Sequence, residues 1–346
     1  MLAVENLSVS LPMEGGRVPV LADVSFALAR GESVGLVGES GSGKSMTALA
    51  IMGLLPPGAA TSGRVLFDGR DLLAAAEPEL CAIRGRRIGM VFQEPMTALN
   101  PLMSIGAQVT EPLRLHLRLG RAEAEARARR LLARVGLAQI DPHRHPHQLS
   151  GGQRQRVVIA IALACGPELL IADEPTTALD VTMQAQVLDL LGELAAEQGL
   201  ALLLITHDLG VVSATAARVM VMYAGRVVEA GGTGAVFAAM AHPYTRALFA
   251  ASPHEAGGRP APIPGQVPDP QHRPPGCAFA PRCPRAQRDC VATVPVLSPL
   301  PFKGRGLGEG SACGASAASP APSPPPSPAS GRGSHVAACF HPHPAP

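Results

Sequence analysis

Residues 38–45 read Gly38-Glu39-Ser40-Gly41-Ser42-Gly43-Lys44-Ser45, a G-x-x-x-x-G-K-S loop. No other feature constrains the fold of this chain as tightly. The loop follows the short apolar run 34–37 and precedes the helical run 46–52, so the local order is strand, glycine loop, helix. Glycines let successive backbone N–H groups turn inward around phosphate oxygens, and the helix N-terminus adds a partial positive charge. Lys44 supplies a compact point charge and Ser45 a hydroxyl for Mg²⁺, with Met46 just inside the helix. Lysine is rare here: of 29 Lys and Arg residues, only 44 and 303 are Lys. A lysine retained at this spot points to a site where a planar guanidinium would not serve.

Two further apolar runs end in chemistry. Run 169–172 ends in Asp173-Glu174, and run 200–205 ends in Thr206-His207-Asp208. Short continuous apolar runs fit buried parallel strands, and ligands gather at the carboxyl ends of such strands. Asp173 is then placed for the Mg²⁺ shell and Glu174 to polarise an attacking water. His207 is placed to hydrogen-bond a terminal phosphate, although a lone histidine is more often structural. Segments 121–135 and 181–197 are predicted helices, the second stopped by Gly199. Strand runs alternating with helical stretches predict an α/β fold.

Composition narrows the options. At 346 residues the length suggests about two domains, with 47% hydrophobic residues available for cores. A net charge of +2 argues against a strongly basic nucleic-acid binder, and 3% aromatics with no Trp against base-stacking platforms. The densest apolar stretch, 157–165, is far below the roughly 20 residues that span a bilayer. The N-terminus carries Glu5 and no basic region, which does not suit a signal peptide. Seven cysteines, an odd number, favour a reducing compartment over a disulfide scaffold. Cys81 and Cys165 are expected as small core residues. Residues 1–252 hold 13 of the 35 prolines and residues 253–346 the other 22, which marks a boundary. Segment 297–334, rich in Pro, Ser and Gly, is expected to be disordered.

At Ser150-Gly151-Gly152-Gln153 the chain resembles the signature of ABC transporter ATPases, and the other family marks fall in order around it. Gln93 resembles the Q-loop glutamine, which contacts Mg²⁺ and senses the membrane subunits. Asp173-Glu174 resembles the Walker B aspartate and catalytic glutamate, Ala178-Leu179-Asp180 the D-loop, and His207 the switch histidine. A Ser-Gly-Gly start to a helix is itself an anion site. The stretch 160–191, His242-Pro243-Tyr244-Thr245, and the segment from Gly276 to Pro284 are similar to the D-type ATPase of dipeptide and oligopeptide importers. The resemblance implies a RecA-like P-loop core over 1–92 and 166–250 and a helical subdomain over 93–165, together an ATPase domain over 1–250. It also implies a C-terminal importer extension over 251–296, and a tail over 335–346 beyond the insert. It further implies ATP hydrolysis, a head-to-tail dimer with a second ATPase subunit (usually an F-type chain), and two transmembrane permeases on whose cytoplasmic face the subunit sits. An extracytoplasmic substrate-binding protein would deliver peptides. Nickel or another small solute is the alternative cargo. A soluble member acting in translation or DNA repair is the remaining alternative, but this chain has one cassette and no heptad run. The early aromatic that stacks adenine in many members is missing, since no Phe, Tyr, Trp or His lies between Leu7 and Val24. Looser base selectivity follows.

Cys277, Cys283, Cys290 and Cys339 stand where the subgroup has ligands of a 4Fe–4S cluster. From the residues alone, clustered thiolates suggest a soft metal, Zn²⁺ or iron–sulfur, or reduced free cysteines; the spacing matches no short CxxC pattern. The long insert does not forbid a site, because each doubling of a loop costs only about 0.6 kcal/mol. Cys313 within it is read as a bystander, and His143, His145 and His147 as structural.

Overall fold

A computed structural model describes residues 1–176, 179, 181–252, 261–300 and 335–343. The chain opens with a hairpin, β1 (Leu2–Met13) and β2 (Gly16–Leu28), followed by β3 (Ser33–Val37) and α1 (Lys44–Met52). Next come β4 (Ala60–Phe67), β5 (Arg70–Asp71), α2 (Glu77–Ile83) and β6 (Ile88–Val91). A helical section follows: α3 (Pro95–Ala98), α4 (Ile105–Leu117), α5 (Arg121–Leu132) and α6 (Gly151–Leu163). The chain then returns through β7 (Leu169–Asp173), α7 (Val181–Gln198), β8 (Ala201–Thr206), α8 (Leu209–Thr215), β9 (Arg218–Tyr223) and β10 (Arg226–Gly232). It ends in α9 (Thr233–Ala239), α10 (Pro243–Ala251), α11 (Arg288–Ala292), β11 (Ser298–Pro299) and β12 (Val336–Ala337).

Two sheets result. The smaller is antiparallel, ordered β2-β1-β4-β5. The larger is ordered β11-β12-β10-β9-β3-β8-β7-β6, with β9, β3, β8, β7 and β6 parallel. The strands follow from their side chains. β1 alternates buried and part-exposed residues, as a strand covered on one face does, whereas β7 and β8 are buried at every position. Successive residues of a central strand feed opposite cores. Leu169, Ile171, Leu203 and Ile205 pack towards the small sheet with Val4, Leu21, Ile51 and Phe67. Leu170, Leu202 and Leu204 pack towards the helices with Val109, Leu132, Val158 and Leu191. β6 and β7 are sheet neighbours although the whole of α3 to α6 lies between them in sequence. The helical section is therefore an insertion between two adjacent strands.

Several expectations shift. The helix expected over 121–135 ends at Leu132 and passes into a widened turn, Ala133–Leu137, where Gly136 takes φ of 77°. Cys81 is exposed rather than in the core; it lies on the outer face of α2 beside Glu77. Cys165 is half-buried, its thiol 3.4 Å from the Pro112 carbonyl. Residues 297–300, placed in the insert by composition, are ordered: Leu297 packs on the core, and β11 pairs with β12, which pairs with β10. A short strand pair at a sheet edge needs few side chains, so composition does not register it. The rest of the low-complexity insert, with Cys313, lies outside the described residues. Among the described residues no helix is long and apolar enough to cross a membrane.

Candidate active site

β3, β8, β7 and β6 run parallel and adjacent, so their carboxyl ends share one edge of the sheet. The register pairs Val37 with Thr206, Asp173 with Ile205 and Val91 with Ala172. Gly38, His207 and Glu174 directly follow their strands, and Gln93 comes two residues after β6. Four segments distant in sequence thus present their chemistry along one line.

Lys44 is 4% exposed, and its ammonium donates to the carbonyls of Gly38 at 2.8 Å and Glu39 at 3.1 Å. It lies 3.8 Å from a Glu174 carboxylate oxygen. Burial pulls its pKa down, while Glu174, Asp173 and Glu39 hold the charge in place. The other Glu174 oxygen lies 3.5 Å from His207 Nδ1 and 3.3 Å from Gln93 Nε2, which donates to it. The bond to Glu174 raises the His207 pKa above its ordinary value, against a smaller opposing effect of desolvation. One carboxylate is therefore surrounded by the loop lysine, the strand-end histidine and the exposed glutamine.

Ser45 Oγ donates to Asp173 Oδ1 at 3.1 Å. Asp173 is 4% exposed, and its burial pushes its pKa up, partly offset by the Ser45 bond and by Lys44. A buried carboxylate beside a hydroxyl, both oxygen donors, fits a hard divalent cation whose charge would offset that desolvation. Mg²⁺ thus fits Ser45 and Asp173, with the amide of Gln93 nearby on Glu174.

Backbone conformation marks the same place. Glu174 has φ of 46°, a left-handed position that costs a non-glycine residue about 1–3 kcal/mol. Its N–H donates to the Ile205 carbonyl, so the strand ladder holds the turn. Gly38 has φ of 155°, and a Cβ there would lie 2.2 Å from the Met222 carbonyl oxygen. Only glycine lets the loop lie that close to β9. Ser40 and Gly41 form the exposed crest of the loop, and Ser42 is buried with a hydroxyl that has no partner among the described residues. Gly43 caps α1, and Met46 packs its side chain on the core.

The signature residues lie elsewhere. Ser150 Oγ accepts from the Gln153 N–H and Gln153 Oε1 from the Ser150 N–H, a reciprocal cap on α6. No hydrogen bond or ion pair among the described residues ties residues 150–153 to the loop 38–45. Gly152 lies against α7, where a Cβ would meet Met183 Cε at 1.9 Å. Asp180 falls outside the described residues. His143, His145 and His147 form no candidate metal cluster among the described residues. Phe26 is 9% exposed and belongs to the core.

Sequence reasoning missed three residues at the loop. Tyr244 Oη accepts the Glu39 N–H at 2.8 Å. Arg282 grips the Glu39 carboxylate with both terminal nitrogens, at 2.8 and 3.0 Å, and lies 3.2 Å from Tyr223 Oη. Tyr223 and Tyr244 are the chain's only two tyrosines, and their rings pack 4.5 Å apart with Phe279 5.3 Å from each. That rarity was the available signal.

Cys277, Cys283, Cys290 and Cys339 line one pocket with His242, Phe279 and His341. Burial raises the thiol pKa values of Cys277 and Cys283, and takes that of Cys339 up to about 11, with the other three thiols adding to it. The four thiols share this lining, yet no three of them lie close enough together to form a candidate metal group among the described residues, where the group that does is Asp289, Cys290 and His341.

The strand-end constellation on a parallel sheet, with a helical insertion and a phosphate loop, defines an ATP-binding cassette. Residues 21–177 match the family model for ABC transporters and residues 228–290 that for the oligopeptide/dipeptide transporter C-terminal region. The chain is 48% identical over 303 residues to the oligopeptide transport ATP-binding protein AppD of Bacillus subtilis, covering 86% of this chain and 92% of that one. It is 47% identical over 303 residues to the dipeptide transport ATP-binding protein DppD of the same organism, covering 85% and 90%. Among solved structures, a dimeric cassette, MJ0796, bound to ADP and Pi superposes with a TM-score of 0.62 at 33% identity, covering 67% of this chain and 99% of that one. The chain belongs to the ABC transporter ATP-binding family, in the branch that carries the oligopeptide/dipeptide C-terminal region.

Proposed function

We propose that this chain is the ATP-hydrolysing subunit of a peptide importer. The carrying observation is the single carboxylate of Glu174 held among Lys44, Gln93 and His207 at the ends of adjacent parallel strands, in a chain whose C-terminal region matches peptide transporters. The loop 38–45 binds the nucleotide phosphates, and the pre-placed Lys44 ammonium meets their charge. Ser45 and Asp173 hold Mg²⁺, which when bound offsets charge on the phosphate oxygens. Glu174 orients and deprotonates the attacking water, and His207 stabilises the terminal phosphate. The signature Ser150-Gly151-Gly152-Gln153, which no hydrogen bond or ion pair among the described residues ties to this chain's own loop, completes the site of a second ATPase subunit, for which an F-type paralogue is the proposed partner. Gln93, exposed beside Glu174, relays the state of the site to two permease subunits at the cytoplasmic face of the membrane. A substrate-binding protein on the other side delivers the peptide.

The thiol pocket would be held by Cys277, Cys283, Cys290 and Cys339. A 4Fe–4S cluster is the finer proposal, supplying a rigid tie between the 277–290 segment and the tail beyond the insert. Iron and acid-labile sulfide in anaerobically purified protein support it; zinc alone replaces it.

The functional test is uptake of a labelled dipeptide and of nickel in cells whose only copy is wild type or Glu174→Gln. Loss of dipeptide uptake alone is expected. Loss of nickel uptake alone would move the chain to metal import, and loss of neither would contradict the importer reading for both cargoes.

A further inference from the structure

Glu39 lies inside the phosphate loop, and all three of its polar groups are already engaged. Its carboxylate takes the two-pronged grip of Arg282, its N–H is taken by Tyr244, and its carbonyl by Lys44. Phosphate loops work by leaving backbone N–H groups available to phosphate oxygens. Residue 39 is thus an anchor of the loop rather than one of its ligands.

The anchor's other end is the C-terminal extension. Arg282 is 8% exposed and sits in a short turn, Ala280–Arg282, next to Cys283 of the thiol pocket. Its Nε donates to the Pro264 carbonyl at 2.9 Å, so backbone fixes the guanidinium before it reaches the loop. The Tyr223 and Phe279 rings flank it, with its Cζ 5.8 Å from Tyr223 and 5.9 Å from Phe279. A fork-on-fork bond of this kind fixes orientation as well as distance. Glu39 is bound on the other side to Lys44, whose ammonium lies 3.8 Å from Glu174. The chain of contacts runs Arg282, Glu39, Lys44, Glu174.

We propose that Arg282 is a positioning residue for ATP: by holding Glu39 it sets the phosphate loop's conformation, so that nucleotide affinity depends on the docked C-terminal extension. The proposal rests on the ATP-binding reading of the loop. It places the extension, some 240 residues from the loop in sequence, in direct control of the nucleotide site. Tyr244 serves the same anchor from α10.

The test is the dissociation constant of ATP with Mg²⁺, titrated against the purified full chain, for wild type, Arg282→Met, Arg282→Lys, Glu39→Gln and the Arg282→Met/Glu39→Gln pair. Arg282→Met and Glu39→Gln are each expected to weaken ATP about tenfold, with the pair no weaker than the worse single variant. Arg282→Lys, which keeps the charge but not the fork, should recover part of the loss. In steady-state hydrolysis by the assembled transporter the KM for ATP should rise in Arg282→Met and move back towards the wild-type value in Arg282→Lys. Thermal unfolding without nucleotide monitors folding; Glu39→Gln, on the partly exposed side of the pair, decides the matter if Arg282→Met does not fold. Wild-type affinity in both single variants, or losses that multiply in the pair, would overturn the proposal. Wild-type protein that binds no ATP would instead overturn the loop reading on which it rests.

Discussion

Glu174 occupies a left-handed backbone position that a glutamate does not choose unaided, with φ of 46° at the end of β7. Strain of this kind persists where the surroundings over-determine it, here the Ile205 carbonyl on its N–H and three polar side chains on its carboxylate. Because Glu174 is the largest cause of the raised His207 pKa, Glu174→Gln should bring the imidazole's midpoint down towards its ordinary value. An NMR titration of the His207 ring reads this, and an unchanged midpoint would contradict the pairing. Gly38→Ala should abolish ATP binding in equilibrium titration, since a Cβ would meet the Met222 carbonyl at 2.2 Å in a backbone region closed to alanine. At this scale the sequence was most legible. Lys44, Ser45, Asp173, Glu174 and His207 announce themselves because their chemistry follows apolar runs. Arg282 and Tyr244 did not: their segments resemble the importer subgroup and tyrosine is scarce, but neither feature names Glu39 as the partner.

α10 shows how an element can hide its own support. Its N-cap is His242, whose Nδ1 accepts the Tyr244 N–H at 3.0 Å, with Pro243 in the first turn. The buried Glu229 carboxylate accepts the N–H groups of Ala241 and His242 and is bonded to His335 from the tail. Burial lowers the His242 pKa from 6.5 to about 4, with His343 adding to the effect and Glu229 and a backbone bond to Ala338 opposing it. The folded state therefore resists a proton that the unfolded chain accepts. The stability from a neutral His242 is complete above pH 6.5 and is lost as pH falls towards 4, at up to about 1.4 kcal/mol per unit. His242→Asn keeps a capping oxygen and should flatten that part of the stability profile in denaturant melts at pH 7 and pH 5; an unchanged slope would contradict the account. Helices and buried strands were readable from periodicity and caps. β11 and β12 were not, because two-residue strands on either side of a low-complexity insert carry no period.

Over the whole molecule, the phosphate loop alone dictated a parallel α/β sheet with its site at the strand ends, and the topology follows that rule. What the sequence did not carry is how the tail closes on the site. Cys339 meets the other three thiols as the resemblance implied, but residues 335–343 also return to the sheet edge, and the 261–300 segment reaches the loop through Arg282. Those contacts join residues far apart along the chain, and no local pattern encodes them. If the cluster proposed for the thiol pocket is present and ties the tail to the extension, Cys339→Ser should lose that metal while ATP binding remains measurable; metal analysis at wild-type stoichiometry would contradict this. The central claim is that Glu174 at this strand-end site drives ATP hydrolysis. Its most direct test is phosphate release by the purified transporter with wild-type or Glu174→Gln subunit, alongside ATP binding. A drop of about 10²–10⁴-fold in turnover with binding retained is predicted for loss of a positioned base, and undiminished phosphate release would contradict the account.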